Sequence, residues 1–236
     1  MKKNNRRQFI RSGGLLVAGG AAVLSNKLFA GIPTMQEDQS QQKEAVSAVE
    51  DLMREHGVLK RVLLIYQEIM GRIRTSSDFP PETVNDAANM IRNFIENYHE
   101  KLEDKYLFPR FRKANTLVDL VNVLSIQHQQ GRIVTDKILD VLKTDLKNED
   151  NSKQLYNYLH SFVTMYGPHE AREDTVLFPA FKKIISQNEY DSLGENFETT
   201  EHQLFGKDGF EIMVNKVEGI EKKLEIYNLS QFTPEI

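Results

Sequence analysis

Cysteine is absent from the 236 residues, and this excludes thiolate metal sites, disulfides, iron–sulfur clusters and a lipoprotein anchor. Any metal must bind through nitrogen and oxygen. Glycine and proline are sparse outside the N-terminus and one loop, which leaves few breaks in regular structure. There is no surplus of basic charge either: 30 Lys and Arg stand against 34 Asp and Glu, a formal net charge of −4. The charges are interspersed instead of blocked, so no basic field exists for a phosphate backbone, and nucleic acid is not an expected partner. Histidine is scarce as well, at positions 56, 99, 128, 160, 169 and 202 only. What is abundant is Leu, Ile, Lys, Glu and Gln at helical spacing, the composition of an all-α protein.

The N-terminus reads Met-Lys-Lys-Asn-Asn-Arg6-Arg7-Gln8-Phe9-Ile10-Arg11, followed by an apolar run from Gly13 to Leu24 and a small residue, Ala30, at a possible cleavage point. A charged segment, a short apolar segment and a small residue describe a signal peptide over 1–30, with a linker over 31–44. The apolar run is too short to span a bilayer comfortably. The paired arginines before Phe9 and Ile10 resemble a twin-arginine export signal, whose machinery carries proteins already folded. The expectation is export to the periplasm, with no stable membrane insertion after cleavage.

Helical periodicity starts near Lys43 and runs through Leu52, His56, Leu59 and Leu63 to about Arg74. The breaker Thr75-Ser-Ser-Asp-Phe-Pro-Pro81 precedes a second helix, opened by Pro81 and Glu82 and reaching about Lys113. Asn115-Thr116 offers a cap for a third, which runs to the polar cluster at 147–152, and a fourth continues to about Ile185. Four long helices with short connections predict an antiparallel up-down-up-down four-helix bundle over 45–186. The remaining stretch, 187–236, carries Phe197, Phe205, Phe210, Val217 and Leu224 at helical intervals. It reads as an extension with one additional helix closing one side of the bundle.

Histidine spacing adds a site to this outline. The midpoints of His56 and His99, of His99 and His128, and of His128 and His169 each fall in a predicted turn. Residues equidistant from a hairpin turn sit level across it, so four histidines, one per helix, occupy one layer. Glu103 and Glu173 follow His99 and His169 by four residues and share their faces one turn on. The segments 99–113 and 169–183 match at His, Glu, Glu, Asp, Leu, Phe, Pro, Phe and Lys, so the chain is a doubled helix pair related by a pseudo-twofold axis. Six such groups in an apolar core need partners or a cation. Two metal ions with two histidines each and bridging glutamates satisfy them, and nitrogen and oxygen donors suit iron, manganese or zinc.

His56, His99-xxx-Glu103, His128 and His169-xxx-Glu173, with the doubled His-Glu-xx-Glu-Asp-xx-Leu-Phe-Pro, resemble the hemerythrin-like HHE cation-binding domain over about 45–183. The resemblance implies two iron ions with a bridging oxo or hydroxo group, an iron–manganese pair being the variant, and a small diatomic ligand or peroxide as partner. Two roles stay open under it. One is binding or sensing of oxygen, nitric oxide or peroxide; the other is a di-iron enzyme that reduces peroxide or nitric oxide, or an iron donor in repair. Oxygen-carrying hemerythrins have a further histidine four residues after the third-helix histidine, where this chain has Arg132. A structural bundle holding zinc or no metal is the third reading. The Glu-xx-His spacing of ferritin-type enzymes is absent.

His160 lies nine residues before His169, half a turn out of phase, and should face away from the site. His202 is about as far beyond the break at 186–189 as His169 lies before it. It is a possible fifth histidine ligand, with a role beside Glu198 outside the ligand set favoured. Glu100 and Glu170 are rotated about 100° from the ligand face. Pro168 should kink the fourth helix or start it anew, Pro109 and Pro179 should bend or end theirs, and Leu107 and Leu177 should form a dry floor beneath the glutamates. Tyr66, Tyr98 and Tyr166 read as packing residues.

Overall fold

The computed structural model describes residues 46–207 and 209–234; the expected signal peptide and the linker lie outside the described residues. Among the described residues there is no strand, and the chain is helical throughout. Helix α1 spans Ala48–Arg74; Ser47 accepts the Glu50 N–H at its start, Glu50 and Asp51 lie in its first turn and Arg72 and Arg74 in its last, all favourable to the helix dipole. Rod α2 occupies 81–113 and begins with a proline at a position whose N–H has no intrahelical partner. Helix α3 spans Val118–Val141. Rod α4 occupies 149–184 and is capped by Asn148, whose side-chain oxygen accepts from the N–H groups of Asp150 and Asn151.

Each long element buries one stripe against its neighbours. Helix α1 packs on α2 and α4, and α3 packs on the same two. Leu52, Leu59, Val62, Tyr66, Phe94, Phe111, Phe162 and Phe181 are sealed between them, each contributing roughly 1.5–3 kcal/mol by leaving water. No helix of the described residues is long and apolar enough to cross a membrane.

The second and fourth rods are not uniform α-helices. Residues Glu103–Leu107 and Glu173–Leu177 wind as π turns, in which the Phe108 and Phe178 N–H groups reach back five residues to the Glu103 and Glu173 carbonyls. The cause is local: Pro109 and Pro179 follow directly, lack an N–H, and would crowd the carbonyl four residues back in a tight helix. Widening the turn relieves both problems. Of the two outcomes expected for these prolines, bending or ending the helix, ending does not occur: both rods continue past them. A third π segment, Ile91–His99, occurs only in α2.

Helix α4 runs on through Pro168, which lies inside it and does not start it anew. Two further expectations need correction. Helix α3 has no side-chain cap from Asn115 or Thr116; its N-cap is Leu117, and both Asn115 and Leu117 take left-handed backbone at φ 50° to turn the chain. The extension holds two helices instead of one: α5, Gln187–Phe205, capped by Ser186, and α6, Gly209–Lys223, followed by the 3-10 turn Leu229–Phe232. Gly206, at φ 88°, ends α5 in a conformation that side-chain-bearing residues avoid. Helix α5 packs on α1, and α6 packs on α1 and α2.

Candidate metal centre

The four histidines expected in one layer do converge. His56 and His99 face each other with Nε2 atoms 3.0 Å apart, and the rings of His128 and His169 lie 5.1 Å apart at 48°. All four are at most 3 % exposed. Glu103 and Glu173, fully buried, sit between the two histidine pairs. A Glu103 oxygen lies 3.6 Å from His99 Nε2 and 3.4 Å from His128 Nε2, while a Glu173 oxygen lies 3.1 Å from His169 Nε2 and 3.4 Å from His56 Nε2. Each glutamate thus touches one histidine from each pair, the arrangement a bridging carboxylate requires. Two compact donor groups result, His56–His99–Glu103 and His128–His169–Glu173.

Every imidazole is oriented by an oxygen on its other nitrogen. His56 Nδ1 meets Asp174 at 2.7 Å and His128 Nδ1 meets Asp104 at 3.1 Å. His99 Nδ1 meets Glu55 at 2.6 Å and His169 Nδ1 meets Gln127 at 2.9 Å. With Nδ1 engaged as the donor, Nε2 is left as the free donor atom for a cation. The rings are also stacked from one side: Phe178 on His56 at 5.4 Å and Phe108 on His128 at 5.3 Å. The π turns make this possible. The extra residue lets Leu107 and Phe108, and likewise Leu177 and Phe178, all turn inward. Leu107 and Leu177 are fully buried.

A cation suits the donor set. Both oxygens of Glu103, both of Glu173 and His128 Nε2 are buried without a hydrogen-bond partner, an expensive arrangement unless something positive lies among them. Without such a charge the carboxylates compete. Burial and the adjacent Glu173 push Glu103 well above the ordinary carboxylate range, whereas Glu173, despite burial, is held well below it by His169 and His56. Burial and the neighbouring His56 push His99 well down, toward the neutral imidazole that ligation requires. Burial works against charge on His56 too, but Asp174 and Glu173 overcome it and raise that residue to about 9.

Beyond the histidine layer lies a further matched pair. Arg132, four residues after His128, donates to the buried Glu100 carboxylate and to the Glu96 carbonyl. Lys60, four residues after His56, donates to Glu170 at 2.7 Å. Glu100 and Glu170 are therefore buried and ion-paired, consistent with their rotation off the ligand face. Tyr166 does more than pack, since its hydroxyl donates to Glu100 at 2.6 Å. Gly131 makes room for it: a Cβ there would fall 2.0 Å from the Tyr166 oxygen.

His202 does not reach the centre. It sits at the surface of α5, 3.9 Å from Glu198, outside both donor groups. His160 is exposed and stacks on Tyr156. Asp104, Asp174, Glu55 and Gln127 were not singled out by sequence reasoning. The two aspartates lay inside the matched repeat, which carried a signal for them, whereas Glu55 and Gln127, immediately before His56 and His128, lie outside it and differ from each other.

Residues 47–181 match the hemerythrin HHE cation-binding domain. Proteins described only as uncharacterized in Mycobacterium tuberculosis and Mycobacterium bovis are 46 % identical over 195 residues, covering 82 % of this chain and 76 % of theirs. No solved structure matches. The chain belongs to the hemerythrin HHE cation-binding family.

Proposed function

We propose that the protein is a non-haem di-iron protein of an antiparallel up-down-up-down four-helix bundle, with His56, His99, Glu103, His128, His169 and Glu173 as its ligands, which binds or senses oxygen, nitric oxide or peroxide. The observation that carries this reading is the set of orphaned donor atoms: four buried glutamate oxygens and one imidazole nitrogen in one buried layer. Nitrogen and carboxylate donors without sulfur fit iron, and four protein ligands per ion leave positions open. Bound there, an iron pair supplies redox-active positions for a small ligand. The chain's own residues do the rest. Asp104, Asp174, Glu55 and Gln127 fix the imidazoles, Phe108, Phe178, Leu107 and Leu177 keep water out, and the Arg132–Glu100–Tyr166 contacts hold a polar wall on the opposite side of the histidine layer.

Arg132 bears on the choice of role. The cation is engaged with Glu100, so this position offers no additional nitrogen ligand, and a ligand sensor or binder unlike the oxygen carriers is favoured. The paired arginines at 6–7 further support export in the folded state, with metal acquired beforehand.

The test is metal analysis of the purified chain after anaerobic iron loading, followed by spectra on adding oxygen or nitric oxide. Two iron ions per chain and a reversible spectral change are expected, and Glu103→Ala or Glu173→Ala should lose at least one ion while His160→Ala loses none. Iron far below two per chain, or equal loss from His160→Ala, would sink the assignment; rapid peroxide or nitric oxide turnover would move it to an enzyme.

A further inference from the structure

Outside the six-residue centre, a third donor group is built where the extension covers α1. Asp51 and Glu55, one turn apart on α1, and Glu201 on α5 bring one carboxylate oxygen each within 4.8 Å of one another. All three are buried, at 7 %, 0 % and 7 % exposure. Among the described residues, Arg54 is the one cation that an ion pair brings to this cluster. It lies 3.7 Å from Asp51, is shared with Glu211 at 3.9 Å, and stacks on Phe210. One shared guanidinium does not balance three carboxylates removed from water.

Two further atoms lack partners here. Glu55 gives one oxygen to His99, and its other oxygen, Oε1, is buried with no hydrogen bond. The Tyr98 hydroxyl, on a residue 1 % exposed, likewise makes no hydrogen bond of standard geometry, although it lies near enough to Glu55 to act on its carboxyl and also faces Asp51 and Glu201. A buried phenol oxygen left open beside three carboxylates is a donor arrangement with its centre missing. Glu201 is not spent as a helix cap either: one oxygen accepts the Phe210 N–H at 2.6 Å, and a carboxylate has a second to offer. Gly209 keeps this position open, since a Cβ there would fall 2.7 Å from the Glu201 oxygen.

The pseudo-twofold axis supplies a control within the same chain. The counterparts of Glu55 and Asp51 on α3 are Gln127 and Val123, and the counterpart of Tyr98 on α4 is Pro168. The half of the bundle without the extension therefore has none of the cluster. Carboxylates appear only where α5 contributes the third one.

We propose that Asp51, Glu55, Glu201 and the Tyr98 hydroxyl form a separate site for a divalent cation that prefers oxygen ligands, linked to the histidine layer through the Glu55–His99 hydrogen bond. Hard oxygen donors of this kind suit Mn2+, Mg2+ or Ca2+ in preference to a nitrogen-seeking ion. The cation joins α5 to α1 and sits behind the imidazole of His99. The site does not depend on what the six-residue centre holds.

The experiment uses the full chain, iron-loaded and desalted, with Mn2+ added at pH 7.5 and free Mn2+ counted by electron paramagnetic resonance. One Mn2+ per chain is expected beyond the iron, and the double variant Asp51→Asn with Glu201→Gln should weaken it by roughly tenfold or more with iron content unchanged. Glutamine at 201 keeps an acceptor for the Phe210 N–H, and a thermal melt of the variant checks that folding survives. Retention of no Mn2+ by the wild-type chain, or equal retention by the double variant, would overturn the proposal. The difference is read in the Glu103→Gln, Glu173→Gln background too. There, survival of the Asp51-dependent equivalent separates this site from a failure of the di-iron assignment.

Discussion

The two halves of the bundle, α1 with α2 and α3 with α4, share a design and differ in cover. Around the candidate centre the match is nearly atom for atom. Asp174 on His56 repeats as Asp104 on His128, Phe178 on His56 as Phe108 on His128, and Lys60 with Glu170 as Arg132 with Glu100. Away from it the halves diverge. The first is covered by α5 and α6 and gains buried carboxylates, whereas α3 in the second leaves Val123, Ile126 and Ile133 at least half exposed. The shared parts are those a two-metal centre needs from both sides. The unshared ones belong to what the extension added.

The strongest way to test this equivalence is to cut its matched ring stacks. Phe108→Ala and Phe178→Ala should each destabilise the protein by about 3–5 kcal/mol, since both rings are fully buried. Chemical denaturation that returned clearly unequal values would show that the two sides are alike in shape but not in energy.

The ion pairs beyond the histidines should break the symmetry instead. Arg132→Met leaves Glu100 buried and uncompensated, at a cost of about 3 kcal/mol or more. Lys60→Met removes a cation whose side chain is 55 % exposed but also leaves the buried Glu170 without its partner, and the cost should be smaller, about 1–2 kcal/mol. Equal losses in urea titration would mean that burial does not set the value of these pairs.

A further expected effect is a change in pH dependence. Burial, opposed by the Thr135 hydrogen bond, raises Glu96 from 4.5 to about 7, with Glu100 adding to the rise and Arg92 and Arg132 resisting it. Because the folded form holds this proton more tightly than the unfolded chain, its contribution to stability is fully present below about 4.5 and is lost as pH rises through 7. Glu96→Gln, whose counterpart in the other half is Tyr166, should flatten that part of the stability curve. An unchanged slope between those pH values would remove Glu96 as its source.

Much of this was legible in the sequence because the signals were periodic. Histidine positions measured from turns placed one layer across the helices, and His-xxx-Glu placed the carboxylates beside it. Asp104 and Asp174 stood in plain view within the repeat, but their partners lie on other helices, and spacing along one helix does not reveal a contact across two. Glu201 was beyond reach for a similar reason: its place depends on α5 folding back over α1, set by the extended Ile185 and Ser186 that join it to α4. The π turns were hidden because proline reads as a helix breaker, while a widened turn lets the rod absorb it.

Those turns give the second and fourth rods two angular frames. An extra residue taken up within one turn displaces everything beyond it by about 100° relative to an uninterrupted helix, so the histidine end and the proline end obey different alignments to the same core. The number of residues from His99 to Pro109, equal to that from His169 to Pro179, becomes a fixed length of the molecule. Winding either π turn as ordinary α-helix without removing a residue would present the wrong side of the proline end to its neighbours, whereas deleting one residue within the turn would remove the bulge and leave both ends facing as they do.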